Sequence, residues 1–124
     1  AVLRPERPLP RFRAGQFLHL AIDPYDPSGF WPESRVFSIA SAPSDRDRVR
    51  ITYAVHGPFT TRMAEHVVEG GSVWIKLPYG EFVIDSETDV ALFAGGTGVT
   101  AFTAFIDSLD AAASQPVVLA YGAR

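Results

Sequence analysis

Apolar and polar residues alternate most cleanly between Arg48 and Val55, with Val49, Ile51, Tyr53 and Val55 on one side and Arg50 and Thr52 on the other. A period of two predicts a half-buried antiparallel strand. Val73 to Leu77 repeats the pattern, with Val73, Ile75 and Leu77 inward and Lys76 outward. Two more strand-like runs precede these. Phe17 to Ile22 follows the turn Ala14-Gly15, and Arg35 to Ala40 follows a loop, Asp23 to Ser34, whose prolines and Gly29 rule out regular structure. Val2 to Arg13, rich in proline and arginine, is expected to be an edge segment or lead-in. One short helix interrupts the strands: Thr60 or Thr61 can serve as its N-cap, Met63 and Val67 share a face, and Gly70-Gly71 stops it. Up to about Asp85 the pattern is that of a small antiparallel barrel with a single helix.

Beyond Thr88 the period changes. Val90 to Ala94 is continuously apolar, as expected of a strand buried on both faces of a parallel sheet. Gly95-Gly96-Thr97-Gly98 makes a tight turn into a helix carrying Phe102, Phe105, Ile106 and Leu109 on one stripe, and Pro116 precedes a second buried strand, Val117 to Tyr121. This is one β-α-β unit with parallel strands. A single unit cannot cover both faces of its sheet, so the chain is expected to be a portion of something longer.

Composition narrows the classes. Of 124 residues nearly half are apolar and fifteen are aromatic, which predicts a packed globule. A net charge of −3 argues against nucleic acid as a partner. With no cysteine, a disulfide framework and a cysteine-ligated iron–sulfur cluster are excluded within these residues. No apolar run approaches the roughly twenty residues that span a bilayer. His19, His56 and His66 match no metal-ligand spacing and are expected to be surface or structural residues.

Three segments are suited to chemistry. A strand that ends in Gly95-Gly96-Thr97-Gly98 and opens a helix offers backbone N–H groups and the positive end of the helix dipole to an anion; a ligand-free turn has the same sequence. In Arg35-Val36-Phe37-Ser38 a guanidinium suits a pyrophosphate, an aromatic face suits a flat ring system and a hydroxyl can bond a ring nitrogen; by itself the segment is better read as an edge strand with a solvated arginine and a core phenylalanine. Gly57-Pro58-Phe59-Thr60-Thr61 presents a helix start with hydroxyls, suited to phosphate or to plain capping.

Taken in order, these segments resemble the ferredoxin–NADP reductase superfamily of flavoprotein reductase modules, and the resemblance spans nearly the whole chain. Gly15-Gln16-Phe17-Leu18 is similar to its "PGQF" strand with Ala14 for proline, and Arg35 to Ser38 is similar to its "RxYS" motif, followed by Ser41-Ala42-Pro43. Gly57 to Met63 resembles "GxxSxxL", Pro78-Tyr79-Gly80-Glu81-Phe82 resembles "GPYGxF" with Leu77 for the first glycine, and Gly95 to Thr100 resembles "GGTGIT" with Val99 for isoleucine.

The resemblance implies a mainly β fold followed by α/β. Residues 1–86 would form a six-stranded antiparallel FAD-binding barrel, and residues 87–124 the start of a Rossmann-like NAD(P)-binding domain. It implies that Arg35 contacts the FAD pyrophosphate, that Phe37 packs on the flavin or its ribityl chain, and that Ser38 hydrogen-bonds near N5, the hydride-accepting atom. Backbone groups around Ile39 and from Tyr53 to Val55 would hold the ring edge and ribityl chain, and Thr60 would bond an FAD phosphate. Gly95, Gly96, Thr97 and Gly98 would line the NAD(P)H pyrophosphate and ribose, and Arg124 could approach an adenosine 2′-phosphate. Phe37 stands where the family has tyrosine, so one cofactor hydrogen bond is missing while stacking remains, and Ala101 replaces a frequent proline.

The implied activity is electron transfer from NAD(P)H through FAD to a one-electron acceptor (iron–sulfur, haem or ferric), in the cytoplasm or at the cytoplasmic face of a membrane. A non-catalytic flavin-binding or partner-docking module is the alternative, and a cofactor-free β-barrel binding domain the remaining one.

Overall fold

The computed structural model describes residues 1–84, 87–110 and 115–123. Its elements run β1 (Val2–Leu3), β2 (Phe17–Ala21), β3 (Ser34–Ser38), β4 (Val49–Arg50), α1 (Pro58–His66), β5 (Trp74–Tyr79), β6 (Val90–Gly95), a 3₁₀ turn (Gly96–Val99), α2 (Thr100–Asp107) and β7 (Val117–Gly122). No described helix is long and apolar enough to cross a membrane.

The first five strands form two antiparallel sheets, β3-β2-β5 and β1-β4. In β2 the alternation puts Leu18 and Leu20 into the core, fully buried, while Phe17 and His19 face the other way. Met63 and Phe59 of α1 close that core together with Ile39, Val49 and Ile51. Residues 39–40 stitch the sheets together: the Ile39 N–H donates to the Gln16 carbonyl at 3.0 Å, and the Ala40 N–H donates to the Arg50 carbonyl at 2.7 Å. Among the described residues the ladders do not close into the expected six-stranded barrel. The interruption lies between the two sheets, where single hydrogen bonds replace a paired strand.

The strand expected over Arg48 to Val55 is paired only at Val49–Arg50. Its partner β1 extends the exchange just as far as Ile51, which bonds with Ala1 in both directions at 2.8 and 3.0 Å. The inward face therefore holds through Tyr53 and fails at Val55, which is 57% exposed. The expected N-cap also moves. Gly57 caps α1, Pro58 takes the first helical position, where its missing N–H does no harm, and Thr60 sits in the first turn.

Two sequence motifs interlock across the fold. A side chain at Gly15, where φ is +99°, would place its Cβ 2.4 Å from the Phe82 carbonyl oxygen, and one at Gly80, φ +90°, would meet the Phe17 ring at 2.8 Å. Each Gly-x-Phe thus leaves room for the phenylalanine of the other, and the Gln16 amide ties them by donating to the Gly80 carbonyl at 2.9 Å.

In the last third, β6 and β7 pair in parallel, in register from Val90↔Val117 to Gly95↔Gly122. Leu92, Ala104 and Phe105 bury a second, smaller core that also takes in Ala14. The expectation of strands buried on both faces does not hold: Phe93 is 77% and Val118 65% exposed. A lone parallel pair with one helix covers one side only, and nothing among the described residues lies on the other. Ile106 likewise falls at the edge of the helix stripe and is exposed, while Phe102 and Leu109 pack on the core.

Candidate functional site

β3 is an edge strand of its sheet, and along it opens a cleft of about 540 Å³. Its walls come from Val36, Phe37 and Ser38 of β3, residues 52–56 beyond β4, Thr60 in the first turn of α1, and Thr97 and Thr100 at the glycine turn. Strict alternation sends Phe37 and Ser38 to opposite faces. Both reach this cleft because it runs along the strand edge, where both faces are accessible. Phe37 and Tyr53 meet edge to face at 5.9 Å between ring centroids and form an aromatic wall on the core side. The Ser38 hydroxyl has no hydrogen-bond partner among the described residues.

Arg35 lies beside the cleft rather than in its lining. Its guanidinium sits 5.2 Å from the centre of the Phe59 ring, in the first turn of α1, and pairs with Glu33 at 2.8 Å. The arginine of one motif and the helix start of another are therefore adjacent, although 24 positions separate Arg35 from Phe59 in sequence. The Thr60 hydroxyl accepts the His56 N–H at 2.9 Å and the Gly57 N–H at 3.1 Å, and donates to the Gly57 carbonyl at 3.1 Å. Its bonding capacity is filled in holding the helix start. The groups left to face an anion are the N–H groups of Phe59 and Thr60, which have no acceptor within the helix. A Cβ at Gly57 would meet no protein atom within 4 Å, so there is room for a ligand to approach.

The glycine turn stands across the cleft. Gly96 has φ +51°, in the left-handed region, while a Cβ at Gly95, Gly96 or Gly98 would enter open space. Packing within the described protein does not demand three glycines here. At Gly96 the left-handed backbone favours glycine, and the open space leaves the turn's backbone approachable. The Thr100 hydroxyl donates to the Thr97 carbonyl at 2.9 Å and fixes the turn.

Of the sequence-predicted residues, Phe37, Ser38, Tyr53, Val55, Thr60 and Thr97 share the cleft. Ile39 does not. Its side chain is core and its N–H is bonded to Gln16, which leaves only its carbonyl free for a ligand. Arg124 lies outside the described residues. Ala54 lies within the predicted stretch from Tyr53 to Val55, whereas sequence reasoning missed Val36, Thr52, His56 and Thr100. The position of His56, directly before Gly57, was the available signal for one of them. His19 packs between Phe17 and Tyr79, and His66 bonds the Arg62 carbonyl, both structural positions.

No family model matches the chain. Individual proteins do. The reductase component of phenol 2-monooxygenase from Pseudomonas sp. (strain CF600) is 32% identical over 124 residues, covering 96% of this chain and 33% of that protein. The NAD(P)H-flavin reductase of Aliivibrio fischeri is 31% identical over 133 residues, covering 99% and 53%. Among solved structures, the flavohem-like FAD/NAD-binding domain of nitric oxide dioxygenase from Vibrio cholerae superposes with a TM-score of 0.84 at 23% identity, over 99% of this chain and 55% of that one. The chain spans between a quarter and about half of the curated relatives it matches. With the motifs in the same order, the fold shared along its length and relatives of this one kind, the chain belongs to the ferredoxin–NADP reductase-like flavoprotein reductase modules.

Proposed function

We propose that this chain is the flavin-binding part, with the start of the nicotinamide-binding part, of an FAD-dependent oxidoreductase that passes electrons from NAD(P)H to a one-electron acceptor. The acceptor is an iron–sulfur, haem or ferric centre in a further domain or a partner protein. Residues 1–86 form the flavin domain, of the six-stranded barrel type, and residues 87–124 begin the nicotinamide domain. NAD(P)H as reductant puts the module in the cytoplasm or at the cytoplasmic face of a membrane.

The observation that carries this reading is the adjacency of Arg35 to the first turn of α1, beside a cleft walled by Phe37, Tyr53 and the unpartnered Ser38 hydroxyl. FAD, when bound, supplies an acceptor for a hydride and a donor of single electrons. Arg35 and the Phe59 and Thr60 N–H groups neutralise its pyrophosphate. Phe37 and Tyr53 exclude water from one side of the ring, and the backbone near Ile39 and from Tyr53 to Val55 holds its edge and ribityl chain. Ser38 donates a hydrogen bond near N5. Gly95, Gly96, Thr97 and Gly98 hold the NAD(P)H pyrophosphate and ribose across the cleft. The visible spectrum of the purified full-length protein, followed on adding NAD(P)H, tests the reading. A flavin band that bleaches supports it; a colourless protein or an unreactive band overturns it.

Two expected results follow from the phosphate site. Heat-released flavin should chromatograph as FAD, because Arg35 and the α1 start together suit two phosphates; FMN alone would contradict that. Arg35→Ala should weaken flavin binding by about 1.5 kcal/mol, the low end for a charge-assisted hydrogen bond, since the guanidinium is half-exposed and already engaged by Glu33. Flavin titration of the apoprotein measures this, and unchanged affinity would remove Arg35 from the site.

A further inference from the structure

The two walls of the cleft belong to two different cores. Ser38 and Phe37 ride on the antiparallel sheet, while Thr97 and Thr100 ride on the unit built from β6, α2 and β7. Apolar packing between these halves is thin. Among the described residues it includes Ala14 and Ile84 against the second core and a Phe82–Phe102 ring contact at 6.1 Å. Beside it a second cavity of about 270 Å³ opens between Phe12, Pro43, Phe105 and Leu109. A seam that is packed on one side and open on the other does not fix an angle by itself, and small interfaces between parts of a chain permit relative motion.

A polar node crosses the seam at Arg50. Arg50 is held by both its backbone and its side chain. Its N–H donates to the buried Ser41 hydroxyl at 3.2 Å, its carbonyl accepts the Ala40 N–H at 2.7 Å, and its guanidinium donates to the Ala40 carbonyl at 2.7 Å. The same guanidinium nitrogen pairs with the carboxylate of Asp107. Ala40 lies two residues beyond Ser38, and Asp107 ends the helix whose first residue, Thr100, lines the cleft. An α-helix is stiff over its length of roughly 10 Å, so fixing its far end fixes its near end.

We propose that Arg50 and Asp107 are positioning residues that set the distance and angle between the flavin wall and the nicotinamide wall. The proposal rests on the hydride-transfer reading above. An exposed ion pair adds little to stability, and here it need not. Arg50 is already immobilised by three bonds to residues 40–41, so the pair acts through orientation, and transfer between two bound rings depends steeply on their alignment.

The test uses the full-length enzyme. Asp107→Asn keeps size and hydrogen-bonding shape and removes the charge from a half-exposed position. The limiting rate of flavin bleaching at saturating NAD(P)H should fall by about tenfold. Flavin content and the dissociation constant for NAD(P)H should stay within about twofold, a split between rate and binding that general destabilisation does not produce. Asp107→Glu should recover part of the rate. The double variant Arg50→Met with Asp107→Asn should be no slower than Arg50→Met alone, because one interaction cannot be removed twice. An unchanged limiting rate in Asp107→Asn, or fully additive losses in the double variant, would overturn the proposal. Absence of bleaching in the parent protein would instead overturn the hydride-transfer reading.

Discussion

Gly96→Val should raise the apparent KM for NAD(P)H by about 10- to 100-fold, the loss of one charge-assisted hydrogen bond of about 1.5–3 kcal/mol between backbone and phosphate. A Cβ here meets no protein atom within 4 Å, so a branched side chain would stand in the space from which a pyrophosphate would approach. It also carries backbone strain, because φ is +51° and a non-glycine residue there costs about 1–2 kcal/mol. Gly98→Val separates the two effects, since it meets open space without a left-handed backbone. If both variants raise KM, blocking is the cause. Flavin content should not change in either, because the proposed flavin-holding groups lie on β3, near Ile39, from Tyr53 to Val55 and at the start of α1. Stopped-flow bleaching against NAD(P)H concentration, with bound flavin measured in the same sample, gives both quantities. Lost flavin with normal transfer per remaining flavin would interchange the two sites.

The second large effect is on stability. Gly15→Ala should destabilise the fold by about 3 kcal/mol or more, from a disallowed φ together with an overpacked contact. The backbone there has φ +99°, and the new methyl would lie 2.4 Å from the Phe82 carbonyl oxygen, which is backbone and cannot rotate away. Gly70→Ala is the matched control: φ is +80° but nothing lies within 4 Å, so it should carry only the strain, about 1 kcal/mol. Urea unfolding of the two variants beside the parent decides it. Equal losses would mean that the Gly15–Phe82 contact relaxes freely and that the interlock of the two Gly-x-Phe segments contributes nothing.

That interlock marks where sequence reading stopped. Gly15-Gln16-Phe17 and Gly80-Glu81-Phe82 were both visible as motifs, and neither showed that each glycine exists to admit the other's phenylalanine. Cofactor contact was not needed to explain them. Thr60 went the same way. A hydroxyl near a helix start was legible, but whether it faces a ligand or braces the turn depended on where the N–H groups of His56 and Gly57 point.

Local pattern was enough for much else. The strand-like runs bounded by turns located β2, β3 and β5, and the apolar stretches after Thr88 located the parallel pair and its helix. Those properties are encoded in neighbouring residues, because strand and helix periods repeat within a few positions. Strand length was not. β4 spans only Val49–Arg50, although the alternation runs on to Val55. Burial was not either. Val118 and Phe93 are as apolar as Leu92, yet only Leu92 has a helix over it. The sequence by itself determined the order of the elements, the candidate chemistry in each motif and the family likeness. The tertiary structure decided that Arg35 lies over Phe59, that Phe37 and Ser38 share one strand-edge cleft, and that Arg50 reaches Asp107. Each of these joins residues distant in the chain, and a linear pattern carries no information about which of its surfaces will meet.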